Sequence, residues 1–157
     1  MELLQARKKT DLIVVHCSAT GPGMDWGRAE IDRSHRQRGF VMIGYHFVIK
    51  RDGTVEIGRP QGVIGAHAEG FNAISVAVCM VGGISITGKD ENNFTPAQWK
   101  SLHVQLSTLR RAYPSARILG HRDLSPDRNK DGVIQPRERV KECPSFDVAE
   151  FVKTYGL

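Results

Sequence analysis

The run Ile74-Ser-Val-Ala-Val-Cys-Met-Val81 restricts this chain's fold more than any other stretch. It is almost unbroken in apolar side chains, and it suits a central strand covered on both faces rather than a half-solvated one. Two shorter apolar runs, 12–17 and 117–120, read as further strands; the first delivers His16 near its end and the second runs into His121. Residues 45–50 alternate toward a turn at Arg51-Asp52-Gly53, and 54–58 form the returning arm of a hairpin.

Helical signals fall between these strands. Asp25 is the expected cap of a helix over about 27–38 that Gly39 closes, with Ile31 and His35 one turn apart on it. Thr95-Pro96-Ala97-Gln98 has the form of a capping box with proline in the first turn. Trp99, Leu102, Leu106 and Leu109 follow at helical spacing, and Pro114 ends the segment. Asp147 is the expected cap of a last helix carrying Val148, Phe151, Val152 and Tyr155 on one face. Strands and helices in this order predict an α/β chain: a single domain, with a mixed central β-sheet and helices packed on it.

A length of 157 residues fits one domain spanning 1–157, with 40% hydrophobic and 25% charged residues. The formal charge of +5 favours an anionic partner without choosing one. No nucleic-acid-binding motif accompanies it, so nucleic acid is not expected. Residues 1–10 read as an extension with charge but no apolar core of a secretory signal, so synthesis and folding in a cytoplasm are expected. No apolar stretch approaches membrane-helix length, so no membrane insertion is expected, and the chain is read as a monomer. Three cysteines, an odd number, speak against a disulfide framework; Cys17 and Cys79 read as buried thiols.

His16, His121 and Cys143 each lie beside an apolar run or a turn signal. Two imidazoles and a thiolate make a tetrahedral zinc site with one position open, and an open position lets zinc activate a water for hydrolysis. Among six histidines and three cysteines such a trio also arises by chance. The residue types alone fit hydrogen-bonded core histidines and a small apolar cysteine equally.

The surrounding segments decide between these. Val14-Val-His-Cys-Ser-Ala-Thr20, Gly44-Tyr-His-Phe through Glu56, Gly65-Ala-His-Ala-Glu-Gly-Phe-Asn72, Ser75 through Ile84, Asn93 through Gln98, Gly120-His-Arg-Asp123 and Cys143-Pro-Ser-Phe-Asp147 stand in one order along nearly the whole chain. In that order they resemble the zinc-dependent N-acetylmuramoyl-L-alanine amidases of the phage lysozyme type, related in fold to peptidoglycan recognition proteins. The resemblance implies Zn2+ on His16, His121 and Cys143, and peptidoglycan or muropeptides as the partner. It implies cleavage of the amide between N-acetylmuramic acid and L-alanine, as a phage or prophage endolysin that acts at the cell wall after release. It also places Tyr45 beside the metal. Tyr45 and Lys141, two residues before Cys143, are the expected catalytic pair, as donors to the attacking water or the oxyanion. A packed aromatic and a solvated lysine are the plain alternatives. The glycine-flanked loop of His67 is expected at the groove rim, with His67 touching substrate. His46 reads as structural, Asn72 as turn-fixing and His103 as unrelated to function.

Residues 124–142 depart from the shorter family pattern. Asp127, Asn129, Asp131, Gly132, the Val133 carbonyl and Glu138 match the spacing of a calcium loop, so Ca2+ is a second expected cofactor. No helix precedes the loop, and an Asx-rich turn paired to nearby arginines is the alternative.

Overall fold

The structure is a computed structural model, and it describes residues 4–157. Five strands form one mixed sheet: β1 (Leu12–Cys17), β2 (Phe47–Ile49), β3 (Val55–Ile57), β4 (Ser75–Met80) and β5 (Arg117–Gly120). Their order is β3-β2-β4-β1-β5. β4 lies between β2 and β1, parallel to both; β5 is parallel to β1, and β3 is antiparallel to β2. The apolar run is therefore the middle strand, and every residue of β4 is buried. Both sheet faces need cover, and the three helices α1 (Arg28–Gln37), α2 (Pro96–Ala112) and α3 (Val148–Tyr155) contribute to it.

Strand alternation sorts the core. Ile13, Val15, Val76, Val78 and Met80 point to one face, where Leu102, Leu106 and Leu109 of α2 and Phe151 of α3 close over them. On the opposite face Val48, Cys79 and Val81 pack with Ile31 of α1. Leu12 and Val14 meet Leu119 there, with Phe71 and Ile74 beside them. His16 has the parity of Leu12 and Val14, so it emerges on this second face, at the carboxyl end of β1. Ligand sites of open parallel sheets lie at that end.

Caps place the helix ends. Thr95 Oγ1 accepts from Gln98 N–H at 3.1 Å, and Gln98 Oε1 accepts from Thr95 N–H at 3.1 Å, the reciprocal pair expected for α2. Asp147 caps α3 by accepting from Glu150 N–H. For α1 the expectation fails: Gly27, not Asp25, is the cap, and Glu30 Oε2 accepts the Gly27 N–H at 2.8 Å. Glu30 thus makes the returning half of a capping box, and glycine supplies no side chain for the other half; Glu56 from the hairpin accepts the Arg28 N–H instead. Gly39 closes α1 with a φ of +92°, a conformation that favours glycine.

The strand expected from residue 45 begins at Phe47. Just before it, His46 N–H donates to Ala77 O at 3.2 Å while its ring Nδ1 accepts from Ala77 N–H at 3.0 Å. Described residues of the N-terminal extension pack back on the 60–64 turn. Arg7 N–H donates to Gly62 O at 2.7 Å, and Ile64 N–H donates to Gln5 O at 2.8 Å. Residues 1–3 of the extension lie outside the described residues. Cys17 and Cys79 are buried free thiols, as expected.

Candidate metal centre

Neighbouring strand ends bring the first two groups together. His16 is the last residue but one of β1, and β5 passes through Gly120 directly into a 3-10 turn that begins with His121. Their rings lie 4.6 Å apart. Cys143 comes from a loop, and two features seat it. Arg122 N–H donates to Cys143 O at 2.8 Å. The Arg122 side chain pairs with Glu142 at 3.6 Å and Asp147 at 3.9 Å. Gly120 completes the fit, since a Cβ there would stand 2.9 Å from Pro144 Cδ.

The possible ligand atoms of His16, His121 and Cys143 all lie within 4.8 Å of one another. Cys143 Sγ is 3.7 Å from His16 Nδ1. Tetrahedral zinc with Zn–N and Zn–S bonds of about 2.1 and 2.3 Å would separate such atoms by roughly 3.6 Å. Protonation suits a cation as well. Burial, then His67 and His121, drive the His16 pKa well below its ordinary value. Burial and the Lys141 charge bring His121 down to about 4. Both imidazoles are thus neutral at pH 7, the form that binds metal. The Cys17 thiol beside it and burial push the Cys143 thiol well above its usual range. A thiolate at this position therefore calls for a cation, and the donor set fits zinc.

The centre opens onto a cleft of about 470 Å³ lined by Ser18, Arg38, Phe40, Tyr45, Glu69, Lys141, His121 and Cys143, among others. A second pocket of about 400 Å³ shares Phe40, Ala66 and Asn72 with it and extends the groove. Tyr45 sits 5.0 Å from His16, ring to ring, against the face of α1. Burial holds its pKa well above the ordinary value, so it remains a phenol and an O–H donor. Lys141 is exposed on the cleft wall. His35, expected on a helix face or in the groove, has Nδ1 accepting from Gly44 N–H at 2.9 Å and its ring 5.2 Å from Tyr45, so it braces the Tyr45 backbone. Gly44 is needed there, because a Cβ would collide with the Ala66 carbonyl oxygen.

His67 lines the cleft, but its hydrogen bonds point inward. Nδ1 lies 2.9 Å from His16 Nε2, and Nε2 lies 3.1 Å from Ser75 Oγ. Both ring nitrogens are engaged within the protein, so the expected substrate contact is not what its hydrogen bonding supports. Asn72 fixes this loop as expected, its Oδ1 accepting from His67 and Ala68 N–H. His46 is structural: besides Ala77, it reaches Val63 O at 2.8 Å. His103 stacks on Tyr155 at 4.4 Å, away from the centre.

The expected calcium ligands of the 127–138 loop do not converge as a metal group among the described residues. Among the described residues the trio is the group of His, Cys, Asp and Glu side chains that converges for a metal. The expected calcium ligands instead accept from the loop's own backbone. Glu138, 3% exposed, takes the N–H groups of Arg128, Asn129 and Gln135; Asp127 takes Gly132; Asn129 takes Asp131; Asp131 takes Val133. Val133 is 61% exposed. The backbone donors occupy oxygens that an ion would use, so the calcium expectation finds no support in this arrangement. Asp127 Oδ1 alone is buried without a partner there. Sequence reasoning also missed Ser75 and Arg38. Ser75 had one signal, a polar residue inside the apolar run, and Arg38 had none.

A family model for N-acetylmuramoyl-L-alanine amidase matches residues 6–144. The endolysin of Enterobacteria phage K11 is 46% identical over 151 residues, 96% of this chain and 91% of that protein. The endolysin of Escherichia phage T7 is 46% identical over 142 residues, 90% of this chain and 85% of that protein. Among solved structures, the N-acetylmuramoyl-L-alanine amidase endolysin LysCS from Clostridium intestinale superposes with a TM-score of 0.78 at 28% identity, covering 99% of this chain and 90% of that one. The family match runs through all three converging side chains and the whole sheet that positions them, and the chain belongs to the N-acetylmuramoyl-L-alanine amidase family.

Proposed function

We propose that this protein is a peptidoglycan amidase of the endolysin type, which cleaves the amide between N-acetylmuramic acid and the L-alanine of the stem peptide. The observation that carries the reading is the convergence of His16, His121 and Cys143 at the base of an open cleft in a chain of this family. Zinc bound there would supply a Lewis acid for the carbonyl and bring the pKa of a water toward neutrality. The side chains supply the rest. Neutral His16 and His121 and the Cys143 thiolate would hold the ion. The Tyr45 phenol, kept protonated by burial, donates a hydrogen bond into the reaction space. Lys141 presents positive charge on the cleft wall where the carbonyl oxygen gains negative charge.

The protein acts at the cell wall in this reading, as a monomer on peptidoglycan or muropeptides. No helix among the described residues is long and apolar enough to cross a membrane. Digestion of purified sacculi should release new L-alanine amino termini and no new reducing sugar ends. Chelation should abolish the release and zinc should restore it. New reducing ends, or full activity without metal, would refute the reading.

A non-catalytic recognition module is the reading from another class. The Cys143 thiol in place beside two neutral imidazoles disfavours it. A muropeptide-recycling amidase is separated by substrate size: it would prefer soluble fragments over intact sacculi.

A further inference from the structure

We propose that His67, anchored by Ser75, is a positioning residue that fixes His16 in the tautomer whose bare Nδ1 faces the metal position. The proposal rests on the zinc reading above, and it concerns a residue behind the ligand set rather than in it.

Counting protons along the chain of contacts gives the direction. Ser75 is fully buried at the start of β4. Its one hydroxyl proton goes to the Phe71 carbonyl at 2.7 Å, which can only accept. The oxygen of Ser75 is then an acceptor, so the His67 Nε2 at 3.1 Å must carry hydrogen and donate to it. The His67 ring meets His16, Ser75 and His46, none of them an acid that would hold a second proton on it, so the ring carries one. Its Nδ1 is therefore bare and accepts from His16 Nε2–H at 2.9 Å. With its hydrogen on Nε2, His16 keeps the lone pair on Nδ1. That nitrogen lies 3.7 Å from Cys143 Sγ, on the side where the three ligand atoms converge.

Each link is held from outside the metal site. Asn72 Oδ1 pins the backbone N–H of His67 at 2.8 Å. Gly65 leaves the space that the His67 ring occupies, since a Cβ there would lie 2.5 Å from His67 Cδ2. The two rings stand nearly perpendicular, with an interplanar angle of 89°. A hydrogen bond to the far nitrogen of a metal-binding imidazole fixes its orientation and raises its basicity. Losing such a partner typically weakens metal affinity about 10–100-fold.

Zinc dissociation constants by competition titration, together with long-range 1H–15N correlation spectra of the zinc-free protein, test this. His67→Ala should weaken zinc about 10–100-fold. His67→Gln should recover most of that loss, because the amide oxygen can accept from His16 Nε2–H. Ser75→Ala removes the group that fixes the direction, and should weaken zinc measurably. Zinc-free wild type should show His16 with hydrogen on Nε2, and Ser75→Ala should show a tautomer mixture. If His67→Ala fails to fold, Ser75→Ala and His67→Gln decide the matter. Unchanged zinc affinity in the variants, or His16 carrying hydrogen on Nδ1 in the wild type, would overturn the proposal. A wild type that binds no zinc at all would instead refute the zinc reading, and the tautomer spectra would still decide the relay.

Discussion

Tyr45 and Lys141 reach the same cleft by opposite routes. Tyr45 is packed between His16 and His35, ring centroids 5.0 and 5.2 Å away, so its ring position is set by neighbours. Lys141 is exposed, with only its charge felt at His16 and His121. Both should act on the transition state more than on zinc. Tyr45→Phe and Lys141→Ala should lower kcat, by about 10²–10³-fold for a lost oxyanion donor, with zinc content unchanged. Near-normal turnover in either variant would remove that residue from the chemistry. Cys143→Ser should behave differently, losing zinc and activity together, since an alcohol is a far weaker zinc ligand than a thiolate. Metal analysis of the purified variants separates the two patterns.

Single elements carry separable stability. The α2 capping box ties Thr95 to Gln98, and Thr95 Oγ1–H also donates to Arg51 O at 2.7 Å, linking the helix start to the hairpin turn. Thr95→Ala should cost about 1 kcal/mol, read as a lower denaturant midpoint with an unchanged slope. The 127–138 loop is organised by Glu138, which accepts three backbone N–H groups. The Gln135 N–H foremost holds its carboxyl pKa below the usual range. Glu138→Gln places an amide N–H against a backbone N–H and should lower the unfolding midpoint whether or not calcium is present. A wild-type midpoint that rises with calcium, and does so only while Glu138 is intact, would reinstate the calcium reading.

For the whole molecule, the buried imidazoles tie stability to pH. Burial brings His35 and His46 down to about 4 from an ordinary 6.5. Asp32 opposes that shift at His35 while Arg38 and Arg59 reinforce it; at His46 the Val63 carbonyl opposes it, and Arg7 and Arg59 reinforce it. Between those two pH values the unfolded chain binds protons that the folded chain refuses. Stability is therefore fully present above about 6.5 and falls as pH drops toward 4. Thermal unfolding of the protein from pH 7 to 5 should show a falling midpoint. A flat profile would mean that these rings are protonated in the native state.

The sequence by itself determined most of the elements and singled out the three side chains that converge. The 74–81 run had to be a central strand because no half-solvated strand tolerates so many apolar residues, and the α2 box and the Asp147 cap are local contacts among neighbours in the chain. His16, His121 and Cys143 were legible because each sits in a segment with a family pattern. Tertiary structure decided what lies behind and around them. The Gly27 cap depends on where Glu30 swings, and the pairing just before β2 depends on the His46 ring meeting β4. The inward turn of His67 depends on Ser75, a residue that sequence spacing alone does not connect to it. The calcium template counts oxygens at a spacing, but only the folded loop shows that its backbone N–H groups already engage them. Periodicity and caps are short-range, whereas the direction of a hydrogen bond between distant side chains is fixed only when the whole chain has closed around it.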